Sequence, residues 1–564
     1  MKTAASLLPA ALVLALALPA IVPAQAQGKP IVYCADASPE GFDPGLWDSA
    51  STNTVSAQMF DGLLGFKRPT TELVPRLATR WEISPDAKSF TFHLRTGVQF
   101  HSTPSFKPTR DFNADDVLFT FGRFIEPNQP PNQPPNQPSE ERRAAPSSSA
   151  PLGGQLRSSL GAQFNKAFPV NFVYPQNLGL AKLIDGIDKL DEHTVRFRLK
   201  APNVTFIANF AFAWAGIHSA EYGAQLLKAG QASQINVLPV GTGPFQFKSY
   251  AKDDVLRMTA NPSYWGGKQP TPALIFSISR EPNVRVQKLV AGECQVAAAL
   301  RDVDVSALSG KPGVRVEKIQ ALNISYLSFN LKKPPTDKRE VREALDIAID
   351  RDAIFKALFP RGDATQAVSA FPPAIPGFNK KLKNEFNPEK AKALLAKAGF
   401  PNGFEIDLWA LPVARPTNPN GQLMAQLIQQ DWAKIGVKAR IKTYEWGEYL
   451  KRANNGEHNV YMSGWSGETG DADDFLTPNL SCAANQSGVK FCNAEFEKLI
   501  DEARATTDPK KRIAMYERAQ EIFKAERPWI TMAHSTVYIP IRQDIVGFKM
   551  APNGSVDFEG VYRQ

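Results

Sequence analysis

Asn387-Pro388-Glu389-Lys390-Ala391-Lys392-Ala393-Leu394-Leu395-Ala396-Lys397-Ala398-Gly399 is followed, after a short turn, by Phe404-Glu405-Ile406-Asp407-Leu408. Asn387 suits an N-cap, Pro388 a first helical position where no N–H is needed, and Gly399 a terminator, so the first stretch reads as a helix over Pro388 to Ala398. The second alternates apolar and polar residues and reads as a strand. The unit then repeats. Gly421 to Ile435 is helical, with Leu423, Leu427 and Ile428 expected inward, and Val437-Lys438-Ala439-Arg440-Ile441-Lys442-Thr443 alternates as a strand. Repeated helix and strand units argue for an α/β domain, in which ligands sit at strand ends.

Three features lie just beyond those strands. The apolar run Val460 to Met462 leads into Gly464-Trp465-Ser466-Gly467-Glu468-Thr469-Gly470-Asp471, read as a loop whose glycines, Gly464 among them, let the backbone come close to a ligand. Trp465 offers a flat apolar wall, and Glu468 beside it suits an ammonium group. Standing alone, such a loop reads first as a surface turn with solvated acids and a tryptophan plugged into the core. Leu411-Pro412-Val413-Ala414-Arg415 ends in a guanidinium flanked by Pro412 and Pro416, which could hold a carboxylate bidentately. Trp446 follows the next strand. An arginine and an acid at the strand ends of one domain are what a zwitterion such as a short peptide requires.

The N-terminus carries Met1-Lys2, an apolar run from Ala5 to Ile21, and Ala24-Gln25-Ala26, the small-x-small form of a signal-peptidase site. Export with cleavage after Ala26 is expected. The apolar run is too short and alanine-rich for a membrane span, and no other is long enough, so no stable membrane insertion is expected. A formal charge of +9 with both signs interspersed, and no basic block or aromatic RNA-binding motif, argues against nucleic acid as a partner. Four cysteines in an exported chain point to two disulfides. Of the three possible pairings, the short separation makes Cys482–Cys492 the natural small loop, leaving Cys34–Cys294 as a long-range staple.

In the first half, Lys29 to Val32 reads as a strand and Asn53 to Leu64 as a helix with Val55, Met59, Phe60 and Leu63 on its apolar face. Trp81-Glu82-Ile83 with Phe90-Thr91-Phe92-His93-Leu94 reads as a hairpin, as does Ile187 to Leu199. Asn113 caps a helix, and the Pro-Asn-Gln repeats within residues 127–150 read as a disordered or polyproline insertion. Pro239-Val240-Gly241-Thr242-Gly243-Pro244-Phe245 is a tight link without the spacing of a phosphate-binding loop. The six histidines are scattered, and HExxH, CxxC and GxSxG motifs are absent. The chain thus reads as a binding protein rather than an enzyme, although a hydrolase assembled from distant residues stays open.

These residues resemble a family, the extracellular solute-binding proteins of ABC importers for peptides (family 5). The matching stretches include Val32-Tyr33-Cys34, Ser38-Pro39-Glu40-Gly41-Phe42, Trp81-Glu82-Ile83-Ser84-Pro85-Asp86, Asn113-Ala114-Asp115-Asp116-Val117 and Gly241-Thr242-Gly243-Pro244-Phe245-Gln246. Tyr264-Trp265-Gly266, Gly292-Glu293-Cys294-Gln295-Val296, Tyr444-Glu445-Trp446-Gly447-Glu448-Tyr449 and Ala533-His534-Ser535-Thr536-Val537 continue the match over nearly the whole chain.

The resemblance implies a two-lobed α/β periplasmic binding protein of class II type, cluster C, with an extra subdomain inserted in the first lobe. Lobe I would comprise 27–61, 243–320 and 539–564, the inserted subdomain 62–242, and lobe II 321–538. All four cysteines match family positions. Arg415 falls where dipeptide-binding members place a carboxylate-binding arginine, Trp446 and Trp465 at their pocket-wall tryptophans, and Glu468 where they carry an ammonium-binding aspartate. Asp48 replaces a pocket-facing threonine and Thr417 a tyrosine; an acid one methylene longer plus an additional acid suits a longer reach or a second cationic group. The implied protein is a monomer without cofactor or metal that takes a dipeptide or similar small zwitterion to an inner-membrane ABC permease. Haem, glutathione or an opine-like conjugate on the same scaffold, a secreted hydrolase and a chaperone-like holder are the rival readings.

Overall fold

The computed structural model describes residues 28–47, 49–125, 160–298, 300, 302–308, 310–484 and 488–564; the expected signal segment and the Pro-rich insertion lie outside them. One long strand, Trp529–Arg542, organises the rest, because its two halves belong to different sheets. From Thr536 onward it pairs antiparallel with Val314–Gln320, and Ile541 pairs with Val296. That sheet continues through the parallel pair Ile31–Ala35 and Ala273–Ile278, then antiparallel through Val255–Ala260 and Phe245–Ala251. From Trp529 to Ala533 the same strand pairs with Asn323–Phe329, which leads to Val460–Ser466, Glu405–Trp409 and Lys438–Lys442. A separate four-stranded antiparallel sheet is made of Ala78–Ile83, Ser89–Leu94, Thr194–Leu199 and Ile184–Asp191. The result is the two-lobed α/β architecture expected from the sequence.

Local chemistry explains the elements. Asn387 accepts from the Lys390 N–H at 2.9 Å and opens the helix Pro388–Lys397; Asn420 does the same for Leu423, at 2.9 Å, in the helix Gly421–Lys434. In the latter, Met424, Ala425, Ile428 and Trp432 form the buried stripe, while Leu423 and Leu427 are half-buried. The inward face is therefore rotated from the expected one, because the 424, 428, 432 row faces the core and Trp432 donates to the Leu345 carbonyl at 2.9 Å. In the strand pair Glu405–Trp409 and Lys438–Lys442, Ile406, Leu408 and Ala439 are buried, and Asp407 accepts from Arg440 at 3.1 Å and Lys442 at 2.7 Å on the outer face. The separate sheet alternates as expected, with Phe90, Phe92 and Leu94 buried against Phe197, Phe206 and Phe210.

The first helix differs from expectation. It spans Ala50–Met59, opened by Ser49, and ends before Phe60 because the chain turns extended to place Gly62 against the Phe210 carbonyl, where a Cβ would collide. The first strand runs Ile31–Ala35, displaced toward the C-terminus so that Cys34 pairs opposite Ala297. Both expected disulfides are formed, Cys34–Cys294 with Cα atoms 5.8 Å apart and Cys482–Cys492 with 4.4 Å.

Where the chain crosses between sheets, buried polar groups are tied together. Asn323 donates to the Ser535 hydroxyl at 2.8 Å and accepts from the Ser535 N–H at 2.9 Å, while His534 Nδ1 donates to the Asn323 carbonyl at 2.6 Å. Burial pushes the His534 imidazole down to about 4. Burial does the same to His101, also to about 4, which donates to the Gly243 carbonyl at 2.9 Å. For each, the unfolded chain takes up a proton near the ordinary pH of about 6.5 that the folded chain refuses until about pH 4. Stability is thus fully present above the unfolded value and falls by about 1.4 kcal/mol per pH unit per group as the pH drops through that window. Urea unfolding midpoints at pH 7 and pH 4.5 should differ, the latter being lower; replacing His534 by Gln should remove its share of the difference and leave that of His101.

Candidate ligand-binding site

The parallel strands Glu405–Trp409 and Val460–Ser466 are neighbours, with Leu408 opposite Val460 and Trp409 opposite Tyr461, so both chains leave the sheet at the same edge. Arg415 follows the first and Glu468 the second. The second strand is longer than expected: Gly464, Trp465 and Ser466 belong to it, opposite Ser325, Ile324 and Asn323, and the loop begins at Gly467. The ladder with Asn323–Phe329 satisfies the backbone of these residues and overrides the turn propensity of glycine. Gly464 is needed for the close pairing, since a Cβ there would stand 2.8 Å from the Ile324 carbonyl oxygen and 3.4 Å from Thr417 Oγ1.

Arg415 is exposed in a turn closed by its own N–H to the Asn418 carbonyl at 3.0 Å and the reciprocal bond at 2.9 Å. Its guanidinium carbon lies 5.1 Å from the centre of the Trp446 ring. Trp446 opens the helix Trp446–Asn454, whose N-cap Glu445 accepts from the Gly447 N–H at 2.9 Å. The ring stacks on Tyr449, centroids 6.0 Å apart, and Tyr449 donates to the Met462 carbonyl at 2.8 Å, anchoring the helix to the central strand. Thr417 is buried in the same turn as Arg415.

Trp465 and Glu468 are positioned by the helix Asp473–Leu480. The Trp465 indole N–H donates to the Asp474 carbonyl at 2.8 Å, and the half-buried ring packs on the core around Phe475. The Asp474 carboxylate accepts from the N–H groups of Glu468 at 2.6 Å and Thr469 at 3.0 Å. Burial pushes the Asp474 carboxyl up to about 6 despite those bonds. Glu468 itself points across the cleft, accepting from the Tyr174 hydroxyl, while Asn553 donates to its carbonyl at 3.2 Å. The structure thus brings Arg415 onto Trp446, sets Thr417 beside Gly464, and turns Glu468 toward the opposite wall. Asp48 lies outside the described residues.

That opposite wall was not foreseen. A cavity of about 300 Å³ is lined by Asp61, Arg68, Arg76, Tyr174, Trp214 and Asn553 together with Glu468. A second, of about 270 Å³, adjoins Pro416 and is lined by Tyr33, Asp36, Phe276 and Tyr538. The two share Ala50, Thr54, Gly554 and Val556, which form a ridge between them. The one local signal was the turn chemistry of Pro552-Asn553-Gly554; Tyr174 and Trp214 come from short helical turns without periodicity.

Comparison with known proteins agrees with this architecture. The profile of the bacterial extracellular solute-binding proteins, family 5 Middle, matches residues 72–487. The chain belongs to this family. It is 43% identical to di/tripeptide-binding protein 1 of Pseudomonas aeruginosa over 96% of this chain and 95% of that protein. Among solved structures, HbpA2 from Haemophilus parasuis superposes with a TM-score of 0.85 at 36% identity, covering 95% of this chain and all (100%) of that one. The dipeptide-binding protein of Pseudoalteromonas sp. SM9913, in complex with Met-Leu, gives 0.73 at 34% identity over 95% and 100%. Among the described residues, no helix is long and apolar enough to cross a membrane.

Proposed function

We infer that this chain is the periplasmic receptor of an ABC importer, closing on a dipeptide or a similarly sized zwitterion and delivering it to an inner-membrane permease. One observation carries the reading: Arg415 and Glu468 follow parallel neighbouring strands that leave one sheet at the same edge. A cation and an anion so placed can hold the two ends of one small molecule, and the names of two of the relatives above, a di/tripeptide-binding and a dipeptide-binding protein, agree with a peptide. Arg415 takes the carboxylate with Trp446 beneath it, Glu468 takes the ammonium, Trp465, Gly464 and Thr417 shape the wall, and Asp48 supplies an additional acid.

In this reading the signal is removed after Ala26 and the exported chain acts as a monomer. Lobe I comprises 27–61, 243–320 and 539–564, lobe II 321–538, with 62–242 inserted. Ligand contacts from both lobes shift the open–closed equilibrium that the permease reads. The chain binds its ligand without transforming it.

Native mass spectrometry of the protein as purified is the test. The expected result is a retained small molecule bearing both an amine and a carboxylate, recovered intact after incubation. A Soret absorption band would assign haem instead, and hydrolysis of an added dipeptide would replace the receptor by a hydrolase.

A further inference from the structure

The stretch Asp471-Ala472-Asp473-Asp474 closes the loop that carries Glu468, and its three acids are used differently. Asp471 pairs with Arg512 at 2.8 Å and accepts from the Tyr516 hydroxyl at 3.1 Å. Asp473 pairs with Arg504 at 3.3 Å and accepts from the Thr477 hydroxyl at 2.5 Å. Asp474 is turned back on the loop instead: one of its carboxylate oxygens takes the Glu468 N–H at 2.6 Å, the Thr469 N–H at 3.0 Å and the Thr469 hydroxyl at 3.3 Å. Two consecutive N–H groups aimed at one oxygen fix the backbone at the root of the Glu468 side chain, and such bonds are roughly twice as strong when the acceptor is charged. The other backbone ties at this turn run to neutral partners, from the Gly467 N–H to the Leu322 carbonyl at 2.6 Å and from the Asn553 amide to the Glu468 carbonyl at 3.2 Å. The Trp465 indole is held by the Asp474 backbone carbonyl, so that bond is indifferent to the side chain at this position.

We propose that Asp474 is a positioning residue of the binding site: its ionised carboxylate holds the Glu468 backbone at the angle from which the Glu468 side chain meets the ligand's amine, and taking up a proton relaxes that hold and lowers affinity. The proposal rests on the reading of Glu468 as the ammonium-binding group. Burial pushes the Asp474 carboxyl up to about 6 against the bonds from Thr469 and Glu468, and Asp473 beside it acts in the same direction as burial. The cations of this region are turned elsewhere, Arg504 to Asp473 and Arg512 to Asp471. From the opposite wall come the Tyr174 hydroxyl and the Asn553 amide, both engaged with Glu468. With the carboxyl titrating near pH 6, the ionised form that holds the loop prevails at pH 7 and is the minor form at pH 5. Affinity is therefore full above that value and falls as the pH drops through it. A ligand amine of ordinary pKa, about 7.7–8.0, is ammonium throughout the window.

Calorimetry at pH 7 and pH 5, with the tightest binder among Ala-Ala, Ala-Phe and Phe-Ala, tests the assignment on the wild type and on Asp474→Asn, Asp474→Ala and Glu468→Gln. The wild type should bind about fivefold more weakly at pH 5 than at pH 7, the scale of exchanging charged for neutral acceptor bonds. Asp474→Asn keeps an acceptor oxygen in place without the charge, so at pH 7 it should bind as the wild type does at pH 5, with no further change between the two. That variant retains the other titrating groups of the site, so its flat profile assigns the window to Asp474. Asp474→Ala removes the acceptor as well and should bind about tenfold or more weakly than the wild type at pH 7, below Asp474→Asn. Equal affinities of the Asn and Ala variants would reduce Asp474 to a nearby charge and overturn the positioning role. So would a flat wild-type profile, or a pH dependence that survives in Asp474→Asn. Failure of the wild type to bind any of the three dipeptides, or unchanged affinity in Glu468→Gln, would instead overturn the reading of the site on which the proposal depends.

Discussion

Replacing Arg415 by alanine should weaken binding of a zwitterionic ligand tenfold or more, about 1.5–3 kcal/mol, by calorimetry at constant pH and salt. The guanidinium presents a planar fork that matches a carboxylate with two parallel bonds. Its contact with Trp446, 5.1 Å from ring centre to guanidinium carbon, holds the side chain over an apolar surface, so less rotational freedom is lost on binding. Arg415 is exposed, and its turn is closed by backbone bonds with Asn418, so truncating the side chain should leave the thermal midpoint unchanged. Arg415→Lys should restore part of the affinity, since charge survives while the fork does not. Unchanged affinity in Arg415→Ala would remove the carboxylate-binding role altogether.

The largest stability effect is expected at Asp43. Its carboxylate is wholly buried, paired with Arg123 and bonded to His218 Nε2 at 3.2 Å. Phe42 and Asp43 N–H groups are held by the Asn236 side-chain oxygen, each at 3.0 Å, which fixes the carboxylate in place. Arg123 is surrounded by the rings of Phe119, Phe164 and Phe172, with its guanidinium carbon 4.9 Å from the last. Removing the acid strands a buried guanidinium among aromatic rings, so Asp43→Ala should cost about 3–5 kcal/mol of unfolding free energy, read from the urea midpoint and slope. Pairing it with Arg123→Met should recover part of the loss. A cost below about 1 kcal/mol would show that the pair is not the anchor described.

The pH behaviour separates this triad from the histidines. Burial opposes ionisation of Asp43, but Arg123 and His218 more than offset it and hold the carboxyl well below its usual range. Its contribution is therefore intact above the unfolded carboxylate value and is lost only as the pH falls through the lower folded value. The weakening expected between pH 7 and pH 4.5 comes from buried neutral histidines instead.

Local patterns carried much of the fold into view. Asn387 and Asn420 could be read as caps because capping acts within one turn of helix, and the alternation of Phe90, Phe92 and Leu94 because strand period acts over a few residues. The extent of the strand Val460–Ser466 was missed because its glycines signal a turn locally, whereas its pairing with Asn323–Phe329 involves residues distant in the chain. The same reason hid the shared strand Trp529–Arg542. Within the candidate site, Arg415 and Glu468 were legible as charges following strands. Tyr174 and Asn553 were not, since only tertiary packing carries them to Glu468.

That Trp529–Arg542 follows every strand it pairs with bears on the timing of folding. Its latter half is the bridge between Val296 and Val314–Gln320 in one sheet, and its first half flanks Asn323–Phe329 in the other. Neither sheet can close until residues 529–542 have been made, so a nascent chain that already holds Asn323–Phe329 still lacks the strand both sheets share. The element that locks both halves follows every strand it pairs with, so the two sheets are completed together and by the same segment.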